Sequence, residues 1–265
     1  MLELQKELYN CVNSLLPSGD GHIEIKAVIE KNNPGWVFVD SQQDPQMAII
    51  WNKGNGGFYL LGNDIARNKD EINSFIDSII KPKLMSIGEN YLEISSAPPI
   101  SNCDMENVLN SRNYDSWEQS VYLYKHKGII ALTDNAYLND IKEVLENQDI
   151  NMSFVENNIL NYWDSIDTFL TKADGFCIIV DNVAVSLALT GWVAGNVHEI
   201  IIDTIEEHRK KGFAKICSSA LINRYLEKGY VPYWECEKSN IASAKIAEGL
   251  GFIKLYDYLC YGFWL

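Results

Sequence analysis

Apolar positions along this chain fall into two kinds of segment, short strand-like runs and longer stretches with helical spacing, and the two kinds alternate. Gly35-Trp36-Val37-Phe38-Val39-Asp40 reads as a strand entering a turn, and Met47-Ala48-Ile49-Ile50-Trp51 as the strand returning from it. A third strand over 57–61, a helical period over 72–84, a strand over 91–95, a helical segment over 105–114 and a strand over 121–124 follow. The same seven elements recur in order about 140 residues later, over 175–181, 185–189, 199–202, 213–226, 232–236, 243–252 and 258–261. This alternation predicts an α/β (mixed α+β) fold class, with two tandem domains that each carry a mixed central sheet.

The join between the halves is expected between Lys125 and Asn139, giving domains over 1–130 and 131–265. Asn139 or Asp140 is placed to cap a helix over 140–148, and a second helical segment runs over 152–170. The latter carries Phe154, Ile159, Leu160, Trp163, Ile166 and Leu170 on an apolar face, which serves either as a core stripe or as one wall of a cleft.

The halves differ most between their third strand and the helix after it. In the first half that stretch is Gly62-Asn63-Asp64-Ile65-Ala66-Arg67-Asn68-Lys69-Asp70-Glu71, with mixed charge and no glycine at the helix mouth. In the second it holds His208-Arg209-Lys210-Lys211-Gly212-Phe213-Ala214. A glycine-containing basic loop at a helix start presents free backbone N–H groups and the positive end of the helix dipole, so the second loop suits phosphate oxygens and the first does not.

Composition narrows the partners. The chain of 265 residues has 47% apolar residues, and its 22 Lys plus Arg against 36 Asp plus Glu give a formal charge of −14. That balance argues against nucleic acid or an anionic membrane as a partner, and makes the cations at 208–211 a local exception. No apolar run approaches the roughly 20 residues that cross a bilayer, and the start has no signal-peptide pattern, so a cytoplasmic location is expected. Cys11, Cys103, Cys177, Cys217, Cys236 and Cys260 form no CxxC pair, and His22, His126, His198 and His208 form no HxH or HExxH pattern. No metal is expected, and the cysteines are expected to be mainly small core residues.

The segment 196–252 resembles the Gcn5-related N-acetyltransferase family. Arg209-Lys210-Lys211-Gly212-Phe213-Ala214 matches its Arg/Gln-x-x-Gly-x-Gly/Ala signature, and Asn240-Ile241-Ala242-Ser243 and Gly251-Phe252 stand where the family places an Asn before the next helix and a closing Gly-Phe. The general resemblance covers about 140–265. Ser165-Ile166-Asp167-Thr168-Phe169-Leu170, Gly175-Phe176-Cys177, Glu199-Ile200-Ile201-Ile202-Asp203-Thr204 and Pro232-Tyr233-Trp234-Glu235-Cys236 look like the bacterial branch that includes a zwittermicin A self-resistance acetyltransferase. On this resemblance both domains are acetyltransferase-like and the first is degenerate, since it lacks the Arg-x-x-Gly-x-Ala pattern.

The resemblance implies acetyl-coenzyme A as acetyl donor and a small-molecule primary amine as acceptor, joined by direct attack within a ternary complex. Ile200, Ile202 and Thr204 would run beside the pantetheine arm. Lys211, Gly212, Phe213 and Ala214 would lie across the pyrophosphate, with Arg209, Lys210 and Lys215 adding attraction. Asn240 and Ser243 would bond the cofactor arm, or else act as a helix cap and a small packing residue. Glu199 is the first choice for general base, followed by Glu235 and His198, although a strand carboxylate can equally face solvent. In the family this segment resembles, a tyrosine that protonates the departing thiolate often stands seven residues after the Asn; here that position is Ala247, so either the thiolate leaves without that acid, another residue such as Tyr256 or Tyr258 enters the site, or the chemistry is slower or altered. The alternative is a nonenzymatic acyl-coenzyme A-binding or regulatory module, and the oligomeric state is open.

Overall fold

The computed structural model describes residues 1–16, 22–63, 65–98, 100–125, 128–132, 137–147 and 149–265. Part of the expected join, 126–127 and 133–136, lies outside them, as does His126. By contacts the chain forms two compact units, Met1–Gln119 with Asp257–Leu265, and Ser120–Tyr256. The division thus falls after Gln119, and the last nine residues return to the first unit.

The first unit begins with β1 (Leu2–Glu3), a 3₁₀ segment Lys6–Leu15, and α1 (Ile23–Ile29). Strands β2 (Gly35–Val39), β3 (Met47–Asn52) and β4 (Gly57–Gly62) form an antiparallel meander. A helical run follows as α2 (Lys69–Phe75), a π-helical turn Ile76–Ile80 and α3 (Lys81–Ser86), then β5 (Tyr91–Ser96), parallel to β4, and α4 (Asn102–Leu109). Consecutive strand residues alternate between two cores. Phe38, Ile49, Phe58 and Leu60 pack with α2–α4, while Val37, Ala48, Ile50, Tyr59 and Leu61 pack with α1 and the 3₁₀ segment. Helices on both faces explain why these strands are apolar throughout.

Strand β6 (Asp115–Tyr124) leads into the second unit, which continues with β7 (Leu138–Asp140) and α5 (Ile141–Val144). The Asp140 carboxylate accepts the Lys142 N–H at 2.9 Å and caps α5. The single helix expected over 152–170 is instead two, α6 (Ser153–Tyr162) and α7 (Ile166–Lys172), because the Ser165 hydroxyl accepts the Thr168 N–H at 3.1 Å and starts a new helix. Strands β8 (Gly175–Val180), β9 (Val183–Ala194) and β10 (Val197–Thr204) are antiparallel neighbours. Helix α8 (Phe213–Glu227) crosses over to β11 (Val231–Glu237), parallel to β10. Then come α9 (Ile241–Leu250) and β12 (Phe252–Trp264). One core lies under α5–α7, and another lies between the sheet and α8 and α9.

Gly251 ends α9 in the left-handed region at φ 101°, and Phe252 turns inward onto Trp234 and Tyr124, so the Gly-Phe pair is a helix stop followed by a core anchor. The terminal strands are exchanged relative to the repeat. Tyr122 and Tyr124 belong to the second unit's core, and Tyr261 and Phe263 to the first unit's, where Cys260 to Trp264 pair with β5. Among the described residues, no group of three or more His, Cys, Asp or Glu is arranged to hold a metal ion, and no helix is long and apolar enough to cross a membrane. All six cysteines are free; Cys177, Cys217 and Cys260 are buried, Cys11 and Cys236 partly so, and Cys103 exposed.

Candidate functional site

The site forms where two parallel strands part. Val197, His198 and Glu199 of β10 pair with Val231, Pro232 and Tyr233 of β11, and the ladder stops there although both strands continue. From Ile200 to Thr204 the β11-facing edge of β10 therefore carries no ladder; at its end the Thr204 N–H donates to the Asp203 carboxylate and the Thr204 carbonyl accepts from Arg209, so the stretch before Asp203 is what can offer backbone N–H and C=O groups to an extended ligand. A bulge marks the fork: on β9, Gly191 and Trp192 together oppose Glu199, between the pairs Ile200↔Thr190 and His198↔Val193. The Tyr225 hydroxyl of α8 donates to the Glu199 carbonyl at 3.2 Å, holding the strand at the branch point.

The fork opens into a cavity of about 840 Å³. Of the residues singled out from the sequence, Ile200, Ile202, Thr204, Arg209, Lys210, Gly212, Phe213, Ala214, Lys215, Asn240 and Ser243 line it, as does Glu235. Glu199 and Lys211 are not among the lining residues. The Lys211 amine lies 3.5 Å from His208 Nδ1, and Arg209 Nε donates to the Thr204 carbonyl at 3.0 Å, fastening the loop to the end of β10.

The loop reaches α8 through two left-handed residues, Lys210 at φ 62° and Gly212 at φ 81°. A Cβ on Gly212 would meet nothing within 4 Å, so glycine is required here for its φ rather than for space in the unliganded loop. The first i→i−4 bond of α8 runs from the Ile216 N–H to the Gly212 carbonyl at 3.2 Å. The N–H groups of Phe213, Ala214 and Lys215 precede it and lack partners within the helix, and the first turn has no acidic side chain. These amides, the helix dipole and Lys210 and Lys215 fit a pyrophosphate.

The opposite side of the fork is acidic and aromatic. Glu199 is 2% exposed. Its Oε2 accepts the Trp192 N–H at 3.3 Å and lies 2.5 Å from where a Cβ on Gly191 would stand, so the carboxylate occupies room that glycine leaves. Tyr162, at the end of α6, lines the cavity and packs edge-on against Trp192 at 5.5 Å between ring centroids. Burial pushes its phenol well above the usual range, and the carboxylates of Glu199 and then Glu235 push it further. Asp203, Glu235 and Glu237 also line the cavity, with the Tyr233 hydroxyl donating to Glu235 Oε2 at 3.1 Å.

His198 lies elsewhere. Its ring stacks on Tyr230 at 3.9 Å, its Nδ1 has no hydrogen-bond partner, and burial pushes its imidazolium down to about 4, which makes it a packed neutral ring. Asn240 caps α9 by accepting the Ser243 N–H at 3.1 Å, while the Ser243 hydroxyl accepts the Trp234 indole N–H at 3.0 Å. Both residues combine the capping or packing role with a place on the cavity wall. Ala247 is fully buried in the core beneath α9. Tyr258 belongs to the first unit and pairs with the Tyr59 hydroxyl at 3.0 Å; Tyr256 is not among the cavity-lining residues.

The corresponding place in the first unit has a smaller cavity, about 350 Å³, lined by residues that include Gly62, Arg67 and Asp104, and its strands stay paired further along. β4 and β5 pair from Gly57↔Glu93 to Leu60↔Ser96, and the Ala97 N–H extends the ladder to the Leu60 carbonyl at 3.2 Å. The register of β3 and β4 has no bulge, and the first turn of α2 carries Asp70 and Glu71.

Sequence reasoning missed Tyr162, Asp203 and Glu237 on the cavity wall. Period-two alternation places Asp203 on the same face of β10 as Glu199, and Glu237 on the same face of β11 as Glu235, so strand geometry held that signal. Tyr162 gave none, since the segment's six apolar residues drew attention instead; of those, Ile159 and Trp163 are fully buried and Leu160 is exposed.

Compared with known proteins, the chain matches the family model described as GNAT acetyltransferase over residues 13–261. It is 24% identical over 264 residues, covering 98% of this chain and 97% of the relative, to an uncharacterized N-acetyltransferase, YdfB, of Bacillus subtilis strain 168. Its fold is similar to that of a GCN5-related N-acetyltransferase-like protein from Streptococcus suis, with a TM-score of 0.64, 20% identity, and 96% of this chain and 98% of that one covered. It is also similar to a tandem GNAT protein from the clavulanic acid biosynthesis pathway, with a TM-score of 0.55, 11% identity, and 98% and 93% covered.

Proposed function

The chain belongs to the GNAT acetyltransferase family, and on that premise we propose that it transfers the acetyl group of acetyl-coenzyme A to a primary amine of a small molecule, by direct attack within a ternary complex. The observation that carries this reading is the fork between β10 and β11, which opens beside the free amides of α8 within one cavity. Bound acetyl-coenzyme A supplies an electrophilic thioester. The α8 amides and Lys210 and Lys215 hold its phosphates, and the open edge of β10 aligns its arm. Glu199, buried and not itself on the cavity wall, takes the proton from the amine through a water molecule, while Asp203, Glu235 and Glu237 attract the acceptor in its cationic form.

The first unit is proposed to be a degenerate copy of the same domain, without its own donor site. Its closed β4–β5 ladder and the acidic first turn of α2 support this. The segments 165–170, 175–177, 199–204 and 232–236 support kinship with the branch that includes a zwittermicin A self-resistance acetyltransferase, and hence an amino-bearing metabolite or antibiotic as acceptor. Buried Ala247 favours the second reading, a nonenzymatic acyl-coenzyme A-binding module. Calorimetric titration with acetyl-coenzyme A, followed by thiol release across an amine panel, separates the two. One site per chain with stoichiometric acetyl product is expected. Saturable binding without transfer would establish the module, and two equivalent sites would overturn the degenerate first unit.

A further inference from the structure

We propose that Tyr225 is a positioning residue for the donor: its buried hydroxyl fixes the peptide that follows Glu199 at the fork, and so sets how tightly the arm of acetyl-coenzyme A is held. The inference rests on the donor reading above.

Tyr225 and Thr190 are both fully buried, and their hydroxyl oxygens lie 2.5 Å apart. The Tyr225 oxygen is also 3.2 Å from the Glu199 carbonyl, and the Thr190 oxygen 2.9 Å from the Asp174 carbonyl. Three contacts thus compete for two hydroxyl protons. The Asp174 carbonyl already accepts the Thr190 N–H at 2.9 Å, while the Thr190 hydroxyl accepts the Asp174 N–H at 3.0 Å. If Tyr225 donated to Thr190 and Thr190 to Asp174, Asp174 would gain a second donor and the Glu199 carbonyl would receive none from Tyr225. With the relay running from the Asp174 N–H to Thr190, from Thr190 to Tyr225 and from Tyr225 to Glu199, each carbonyl keeps a donor. Burial raises the Tyr225 phenol well above its ordinary range, so it remains a donor, and bonds aligned in one direction strengthen one another.

Both ends of the relay are held from the α8 segment. Lys228, at its C-terminal cap, donates to the two Asp174 carboxylate oxygens at 2.8 and 2.7 Å, and Tyr225 belongs to the helix itself. Glu199 is the last residue of β10 paired with β11, so the peptide joining it to Ile200 is the first beyond the ladder. A planar trans peptide turns as a unit, so holding the Glu199 carbonyl also aims the Ile200 N–H. Along α8, Tyr225 stands about 18 Å from Phe213. One helix therefore carries the phosphate amides at its start and holds the fork peptide near its end, which fixes the span that the donor's arm must bridge.

Tyr225→Phe keeps the ring beside His198 and Tyr230 and removes only the hydroxyl. Acetyl-coenzyme A should bind about fivefold to tenfold more weakly, the size of one lost hydrogen bond. ADP, which carries the pyrophosphate without the arm, should bind within a factor of about two of the wild type. Without ligand, the Ile200 amide-nitrogen resonance, which senses hydrogen bonding at the carbonyl of its own peptide, should move. Thr190→Val has nearly the same shape and removes the other hydroxyl, but it leaves the Tyr225 proton with the Glu199 carbonyl. Its acetyl-coenzyme A affinity should fall no more than about twofold, although the fold also loses a buried hydrogen bond.

Equal weakening of ADP and acetyl-coenzyme A in Tyr225→Phe would reduce Tyr225 to packing of α8 and overturn the proposal, as would unchanged affinity for both. A selective loss of about tenfold for acetyl-coenzyme A in Thr190→Val would contradict the direction of the relay and overturn it too, whether or not Tyr225→Phe folds. A wild type that does not bind acetyl-coenzyme A would overturn the donor reading and the proposal with it.

Discussion

Replacing Gly212 separates the two properties that make the α8 loop an anion site, its left-handed backbone and its charge. At φ 81° an L-residue is strained even though the space beside the α-carbon is empty. For Ala the penalty is about 1–2 kcal/mol, whereas Asn tolerates this region with much less. If the loop holds its conformation in Gly212→Ala, the penalty lowers the unfolding free energy. If the free loop relaxes, it appears as roughly 5- to 30-fold weaker acetyl-coenzyme A binding, since 1.4 kcal/mol is a factor of ten. The two losses should therefore sum to about 1–2 kcal/mol when urea unfolding and calorimetric titration are combined. Gly212→Asn and Gly212→Asp have nearly the same shape, so their ratio isolates charge. A carboxylate about 4 Å from one phosphate charge is repelled by about 1 kcal/mol in bulk water and about 4 kcal/mol at an effective dielectric of 20. Asp should bind at least about fivefold more weakly than Asn, with the gap shrinking as salt rises. Equal affinity of folded Asn and Asp variants would refute a phosphate at the start of α8.

Two further outcomes follow from β10. Glu199→Gln should bind acetyl-coenzyme A as the wild type does while transferring acetyl about 100-fold more slowly or worse, with an altered dependence on acceptor protonation; identical pH–rate profiles would remove Glu199 from the chemistry. His198 titrates near 4 when folded and near its ordinary 6.5 when unfolded, so the unfolded chain takes up the proton first as pH falls. The stability this depression contributes is complete above about pH 6.5 and lost towards pH 4, up to about 3 kcal/mol. His198→Phe, which keeps a ring on Tyr230, should flatten that part of the decline in denaturant titrations. An acid-side decline as steep as the wild type's would show that His198 does not carry it.

The site's outline was legible locally because its signals are local. A helix start, the left-handed glycine before it and the cations beside it lie within seven residues, and the Asn240 cap and the Gly251 stop are equally short-range. The strands could be read from their apolar runs for the same reason. The split of 152–170 into α6 and α7 was written in Ser165, but a continuous apolar period masked it.

Tertiary structure decided what depends on residues distant in sequence. The ladder between β10 and β11 ends at Glu199, where the bulge at Gly191 and Trp192 and the Tyr225 hydroxyl meet it from other elements, and no run of residues within β10 encodes that meeting. Tyr162 reaches the cavity only because α6 ends beside Trp192. The terminal strands gave similar patterns in both halves, so sequence paired each with its own half. Packing assigned 121–124 to the second core and the end of β12 to the first. An apolar strand specifies that it must be buried on both faces; which core buries it is set by the pairing partners that the rest of the chain supplies.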